Sequence, residues 1–204
     1  MSLLRGVEID RANSFICRRA RRLFVVAHAA LHHLLREAGL GRCRFGLSPE
    51  GKPFLVDHPE FHFNLSHTEG LILVALTKGS PIGVDVEIIA ERKTYSEIVS
   101  RVMTPAERAT MAALPNPEER FTQLWCAKEA VMKATGLGFG LPPLNIERQN
   151  PTPTLTRLPA QHGSPTDWQL RCERLPAHWF AVAARRPDLP LQRQWLMPQD
   201  LLRP

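Results

Sequence analysis

The chain has 204 residues, with 26 Lys and Arg against 20 Asp and Glu for a formal charge of +6, and 44% hydrophobic side chains. That length and apolar content bury a core as one domain or as two small halves sharing an interface, so disorder is not the default; the positive excess points to anionic partners, whether nucleic acid, lipid, a phosphorylated small molecule or an acidic protein. Cys17, Cys43, Cys126 and Cys172 form no CxxC pair, so neither a zinc site nor a disulfide framework is indicated, and a reducing compartment is expected.

The opening MSLLRGVEIDRANSF lacks the apolar run of a signal peptide, and Leu23 to Leu35 is too short and too rich in histidine to span a bilayer. A soluble, cytoplasmic protein without a membrane partner is expected. From Arg18 to Ala38, Leu23, Val26, Ala27, Ala30, Leu31, Leu34 and Leu35 recur at helical spacing, with Gly39 as the cap. Arg18, Arg19, Arg21 and Arg22 crowd its first turns, where a solvated basic face is the commoner reading and a phosphate site the rarer. Leu47 to Leu55 turns at Gly51-Lys52-Pro53, and Phe61 to Leu65 alternates as a strand ending at Ser66-His67. A strand over Leu71 to Thr77, a turn at 78–81 and a strand over Ile82 to Ile88 make a hairpin the simplest connection.

Helical periodicity resumes at Thr104-Pro105-Ala106-Glu107, with Thr as N-cap and Pro at the first helical position. A second long helix is predicted over Pro117–Thr135, closed by Gly136 and Gly138, then a proline-rich loop around 142–165 and strands over Trp168 to Cys172 and Trp179 to Ala184. No GxGxxG or GxxxxGK[ST] loop accompanies these elements, so an α+β fold is expected and not a Rossmann or P-loop one.

Two segments concentrate the chemistry. In Ile82 to Ile88, strict alternation puts Asp85 and Glu87 on one face with Gly83, which leaves room for a ligand there. Side-by-side carboxylates repel unless a hard cation such as magnesium lies between them, although a solvated acidic face gives the same pattern. In Phe121 to Lys133, the stripe Phe121, Leu124, Trp125, Val131 and Met132 surrounds Lys128, whose ammonium must snorkel or meet an anion. Glu129 and Lys133 sit one turn apart on the flank, an arrangement equally common in surface helices.

The order GKP, FNLSH, GVDVE, TPAE and WCAKEAVMK, spread over roughly residues 50 to 140, resembles the 4'-phosphopantetheinyl transferase family in its surfactin-synthetase-activating type. The resemblance implies two similar α/β halves, 1–82 and 83–204, about a pseudo-twofold axis with the active-site cleft between them. It further implies a cytoplasmic, monomeric, magnesium-dependent enzyme that moves the phosphopantetheine arm of coenzyme A to a serine of an acyl or peptidyl carrier protein, releasing 3',5'-adenosine bisphosphate. Asp85, Glu87 and Glu129 match the magnesium ligands. Lys128, Lys133 and His67 match charge-neutralising groups, with Ser66 beside them, and Glu107 the general base, a role Glu129 or a water could also fill. Lys52 matches the ligand of the coenzyme A 3'-phosphate, with Arg22 or a neighbouring arginine as a second. Carrier docking is expected around Val102, Met103 and Met111. Two other readings remain open: a magnesium-dependent nuclease or phosphodiesterase, since such sites also gather carboxylates and lysine, and a non-catalytic coenzyme A or RNA binding module.

Overall fold

The computed structural model describes residues 6–89, 95–148 and 154–202. The first five residues and the 149–153 part of the proline-rich loop, both read above from sequence, lie outside the described residues. Helix α1 (Gly6–Ser14) leads into α2 (Arg18–Glu37), where the predicted helix lies. Gly39, at φ +74°, takes the left-handed turn that ends α2, and its N–H reaches the Arg36 carbonyl. Leu31 and Leu35 of α2 are buried with Leu55 and Phe63 in a first apolar cluster. That cluster involves the short pair β1 (Phe45–Leu47) and β2 (Pro53–Leu55) and the longer pair β3 (Phe61–Thr68) and β4 (Leu71–Lys78).

The strand that follows does not form the expected hairpin with β4. β4 pairs back on β3, while β5 (Ile82–Ile88) pairs antiparallel with β9 (His178–Ala184), which in turn pairs with β8 (Gln169–Arg174). Side chains, not backbone, join the two sheets. The Val84 N–H donates to Asn64 Oδ1 at 2.8 Å and the Val86 N–H to Ser66 Oγ at 3.3 Å, so Asn64 and Ser66 stand where a neighbouring strand's carbonyls would.

Helix α5 (Pro117–Thr135) has the predicted bounds, and Gly136 closes it at φ +82°. It packs across β5 and β9, burying Ala127, Ala130, Val131 and Ala134 with Leu170, Ala181 and Ala183. Gly83 is where the backbones meet: a Cβ there would lie 2.0 Å from the Ala130 carbonyl oxygen and 2.3 Å from the Ala134 nitrogen. The glycine thus admits a helix and does not open the strand to a ligand, contrary to the sequence expectation.

Helices α3 (Tyr95–Val102) and α4 (Pro105–Ala112) close the N-terminal end of α5 in a third cluster containing Val102, Met103, Met111, Phe121, Leu124 and Trp125. Val102, Met103 and Met111 are therefore core, and the carrier-docking patch expected there is corrected by their burial. The proline-rich loop contributes a small antiparallel pair, β6 (Glu147–Arg148) and β7 (Leu155–Arg157). Among the described residues, no helix is long and apolar enough to cross a membrane.

Candidate active site

The helix–strand approach at Gly83 brings the flank of α5 against β5, two residues before Asp85. The Lys133 ammonium lies 2.6 Å from Asp85 Oδ1, 3.4 Å from Glu129 Oε2 and 3.1 Å from Ser66 Oγ. Ser66, on the neighbouring β3, donates its hydroxyl proton to the same Asp85 oxygen at 2.8 Å. The structure therefore gathers Ser66, Asp85, Glu129 and Lys133 from three elements. Glu87 follows on β5, half-buried opposite Trp179.

Carboxylate charge exceeds cationic charge in this cluster, and the pKa values register it. Burial, then the charge of Asp85, pushes the Glu129 carboxyl up to about 7 against the opposing pull of Lys133. Burial alone would lower the Lys133 ammonium, but Asp85 and then Glu129 hold it above its ordinary value. Cys126, beneath the cluster, has its thiol pushed up by burial and by the charges of Asp85 and Glu87. Asp85 Oδ2 is buried without a hydrogen-bond partner of ordinary geometry, and the neighbouring Cys126 thiol, which acts on Asp85, donates to the Trp179 carbonyl at 3.3 Å.

An unsatisfied buried carboxylate oxygen beside a second carboxyl that resists ionisation fits a divalent cation held by oxygen ligands. Among the described residues, no three His, Cys, Asp or Glu side chains stand close enough to form a ready metal cage. The Lys133 ammonium contacts both the Asp85 and the Glu129 carboxylates.

Lys128 and Glu107 form a different site. The Lys128 ammonium lies 2.7 Å from Glu107 Oε2 and donates to the carbonyls of Pro143 at 2.9 Å and Ile146 at 2.7 Å. Glu107 also accepts the Thr104 N–H at 2.8 Å, completing a capping box at the start of α4. Both side chains are sealed from solvent, and burial lowers the Lys128 pKa despite its partner. The anion that Lys128 needs is thus Glu107, twenty-one residues earlier in the chain, and not a substrate phosphate. Glu107 is buried, and its other oxygen, Oε1, has no hydrogen-bond partner.

Three further candidate residues lie outside this cluster. His67 is exposed, and alternation along β3 turns it away from Ser66 and the Lys133 cluster. Arg22 is exposed on α2. The Lys52 ammonium donates to three backbone carbonyls, Lys133 at 2.7 Å, Ala134 at 3.1 Å and Ile82 at 3.2 Å, and burial lowers its pKa to about 8. A cleft of about 370 Å³ opens above it, lined by Ser48, Phe54, His62, Pro81, Thr135 and Gly136 among others. His62 was not anticipated as a cleft residue. Burial, then the Lys52 charge, lowers its pKa. Asn64 was quoted only within a motif; its sequence signal is one amide side chain between Phe63 and Leu65.

Comparison with known proteins adds a family. The model of the 4'-phosphopantetheinyl transferase superfamily matches residues 81–184. The 4'-phosphopantetheinyl transferase Sfp of Bacillus subtilis is 31% identical over 164 residues, covering 78% of this chain and 70% of that protein. The 4'-phosphopantetheinyl transferase HetI of Nostoc sp. is 32% identical over 140 residues, covering 65% and 59%. A holo-(acyl-carrier-protein) synthase from Bacillus anthracis, solved in complex with CoA, superposes with a TM-score of 0.42 at 20% identity over 51% of this chain and 93% of that one.

Proposed function

The chain belongs to the 4'-phosphopantetheinyl transferase superfamily, and on that premise we propose that it transfers the phosphopantetheine arm of coenzyme A to a serine of an acyl or peptidyl carrier protein, with magnesium. A bond forms between the serine oxygen and the β-phosphorus. The pyrophosphate bridge breaks, and 3',5'-adenosine bisphosphate leaves with the bridging oxygen. The observation that carries this reading is the cluster of Ser66, Asp85, Glu129 and Lys133 on three elements, with its unpartnered Asp85 oxygen.

In this reading Asp85, Glu87 and Glu129 would hold the magnesium ion, which when bound supplies neutralising charge to the pyrophosphate. Lys133 sets a fixed positive charge against the phosphate oxygens, an interaction strengthened by partial exclusion of water. Ser66 orients Asp85 and Lys133. Proton removal from the serine is assigned to Glu129 or a water, which is supported by the burial of Glu107 against Lys128. The positive chain steers acidic carrier proteins toward this surface.

The proposal includes the two related α/β halves, 1–82 and 83–204. Its support is that each lays one long helix, α2 or α5, against an antiparallel sheet. A cytoplasmic monomer acting on carrier proteins, with neither nucleic acid nor membrane as partner, completes the reading. The test is to mix the protein with coenzyme A, magnesium and an apo carrier protein and to weigh the carrier. A gain of one phosphopantetheine is expected, abolished by chelator or by Glu129→Ala. No gain with several carriers would sink the proposal, and magnesium-dependent cleavage of an oligonucleotide would install the nuclease reading in its place.

A further inference from the structure

Near the end of α5 opposite Lys133, a second excess of charge lies inside the protein. Arg148, on β6, is 4% exposed, and none of its three guanidinium nitrogens has a hydrogen-bond partner among the described residues. Pairing between β6 and β7 shifts register after Glu147, so Glu147 meets the exposed Arg157 whereas Arg148 lies opposite the buried Leu155. Arg120, near the start of α5, is half-buried. Its Nη1 donates to Gln123 Oε1, but its Nε and Nη2 are sealed from solvent and unpartnered.

The two guanidinium groups stand within electrostatic reach of each other. Burial, then the charge of Arg148, lowers the Arg120 pKa to about 10, so Arg120 stays charged at neutral pH. Both charges also act on the Cys172 thiol of β8, and Glu107 acts on Arg120. Glu107 already lies 2.7 Å from Lys128, while Glu119 and Glu147 face Arg174 and Arg157. Lys128, Arg120 and Arg148 against Glu107 therefore leave an excess of two positive charges among the described residues here. Buried charge without counter-charge is strongly destabilising, and so are buried N–H groups without acceptors.

We infer that Arg120 and Arg148 form an internal binding site for one small tetrahedral oxyanion, hydrogen phosphate or sulfate. A dianion cancels the excess, and its oxygens suit guanidinium forks, which present parallel N–H donors. Chloride offers no such paired acceptors. Because the free nitrogens are sealed from solvent, the occupant is a free ion and not the phosphate of coenzyme A or a nucleotide. The site is independent of the transferase reading. Its role is stability, since an ion bound only by the folded chain favours that state by mass action.

The experiment is equilibrium dialysis of the full chain against radiolabelled phosphate or sulfate, with saturating coenzyme A present to occupy any phosphate site open to it. One ion per chain should bind saturably, and the tighter of the two names the occupant. Arg148→Met and Arg120→Met should each weaken binding at least about tenfold, the scale of losing a charge-assisted hydrogen bond. Lys133→Met should leave it within about twofold.

Thermal unfolding gives a second reading. At about 100 times its Kd the ion should favour the folded state about 100-fold, raising Tm by about 5–10 °C in a chain of this size. Sodium chloride at matched ionic strength should not reproduce the rise, and Arg148→Met should abolish it. Absence of saturable binding by the wild type, binding displaced by coenzyme A, or an equal and unsaturable rise in wild type and Arg148→Met would each overturn the inference.

Discussion

Helix α5 carries two lysines five residues apart, and they face opposite situations. Lys128 is 1% exposed against a Glu107 that is 2% exposed, with the Pro143 and Ile146 carbonyls taking the remaining donors and Glu107 Oε1 left buried without a hydrogen-bond partner. Lys133 is 29% exposed and faces Asp85 and Glu129, with Glu87 close enough to act on Glu129. The first pKa is lowered and the second raised. A pair sealed from solvent holds the core together; an accessible cluster with excess carboxylate has charge left over for a ligand. The same motif, WCAKEAVMK, supplies both.

The comparison breaks most visibly at the sealed pair. Lys128→Met strands the Glu107 carboxylate in the core and is expected to cost about 3–5 kcal/mol of stability in urea unfolding. Adding Glu107→Leu should restore much of that loss, because a buried ion pair replaced by apolar groups is often near neutral. A single-variant cost below about 1 kcal/mol would show that the pair is not sealed.

At the open cluster the balance shifts to chemistry. Lys133→Met should lower carrier modification about 100-fold, the usual scale for losing one preorganised charge-stabilising donor, with a smaller stability loss than Lys128→Met. The smallest effect is a pH slope. Glu129 binds its proton more tightly folded than unfolded, its pKa rising from 4.5 to about 7. Its contribution to stability is therefore full below about pH 4.5 and is lost as pH rises through about 7, at no more than about 1.4 kcal/mol per unit. Unfolding titrations with chelator present should show that decline, and Glu129→Gln should flatten it.

Much of this was legible locally. α5 announces itself through apolar periodicity, Pro117 at its first position and Gly136 at its end, and all three are features of neighbouring residues. The alternation of Ile82 to Ile88 correctly places Asp85 and Glu87 on the same face of β5. It does not reveal that α5 covers that face at Gly83, nor that the pairing partner β9 lies about a hundred residues on. Lys128 showed that an anion was needed but not which one, because a phosphate and a distant Glu107 answer the same demand. Lys52 shows a similar limit: a lysine in a turn looks exposed until the structure shows its ammonium donating to another element's carbonyls.

The seam between the two sheets has a dynamic consequence. Val84 and Val86 send their amide protons to the side chains of Asn64 and Ser66, so no ladder of strand-to-strand bonds locks β3 to β5. Those two amides are a built-in clock for separation of the sheets, and their deuterium uptake would time breathing of the molecule along this line without global unfolding. A ligand that spans the seam would slow that clock, whatever part of it touches either strand.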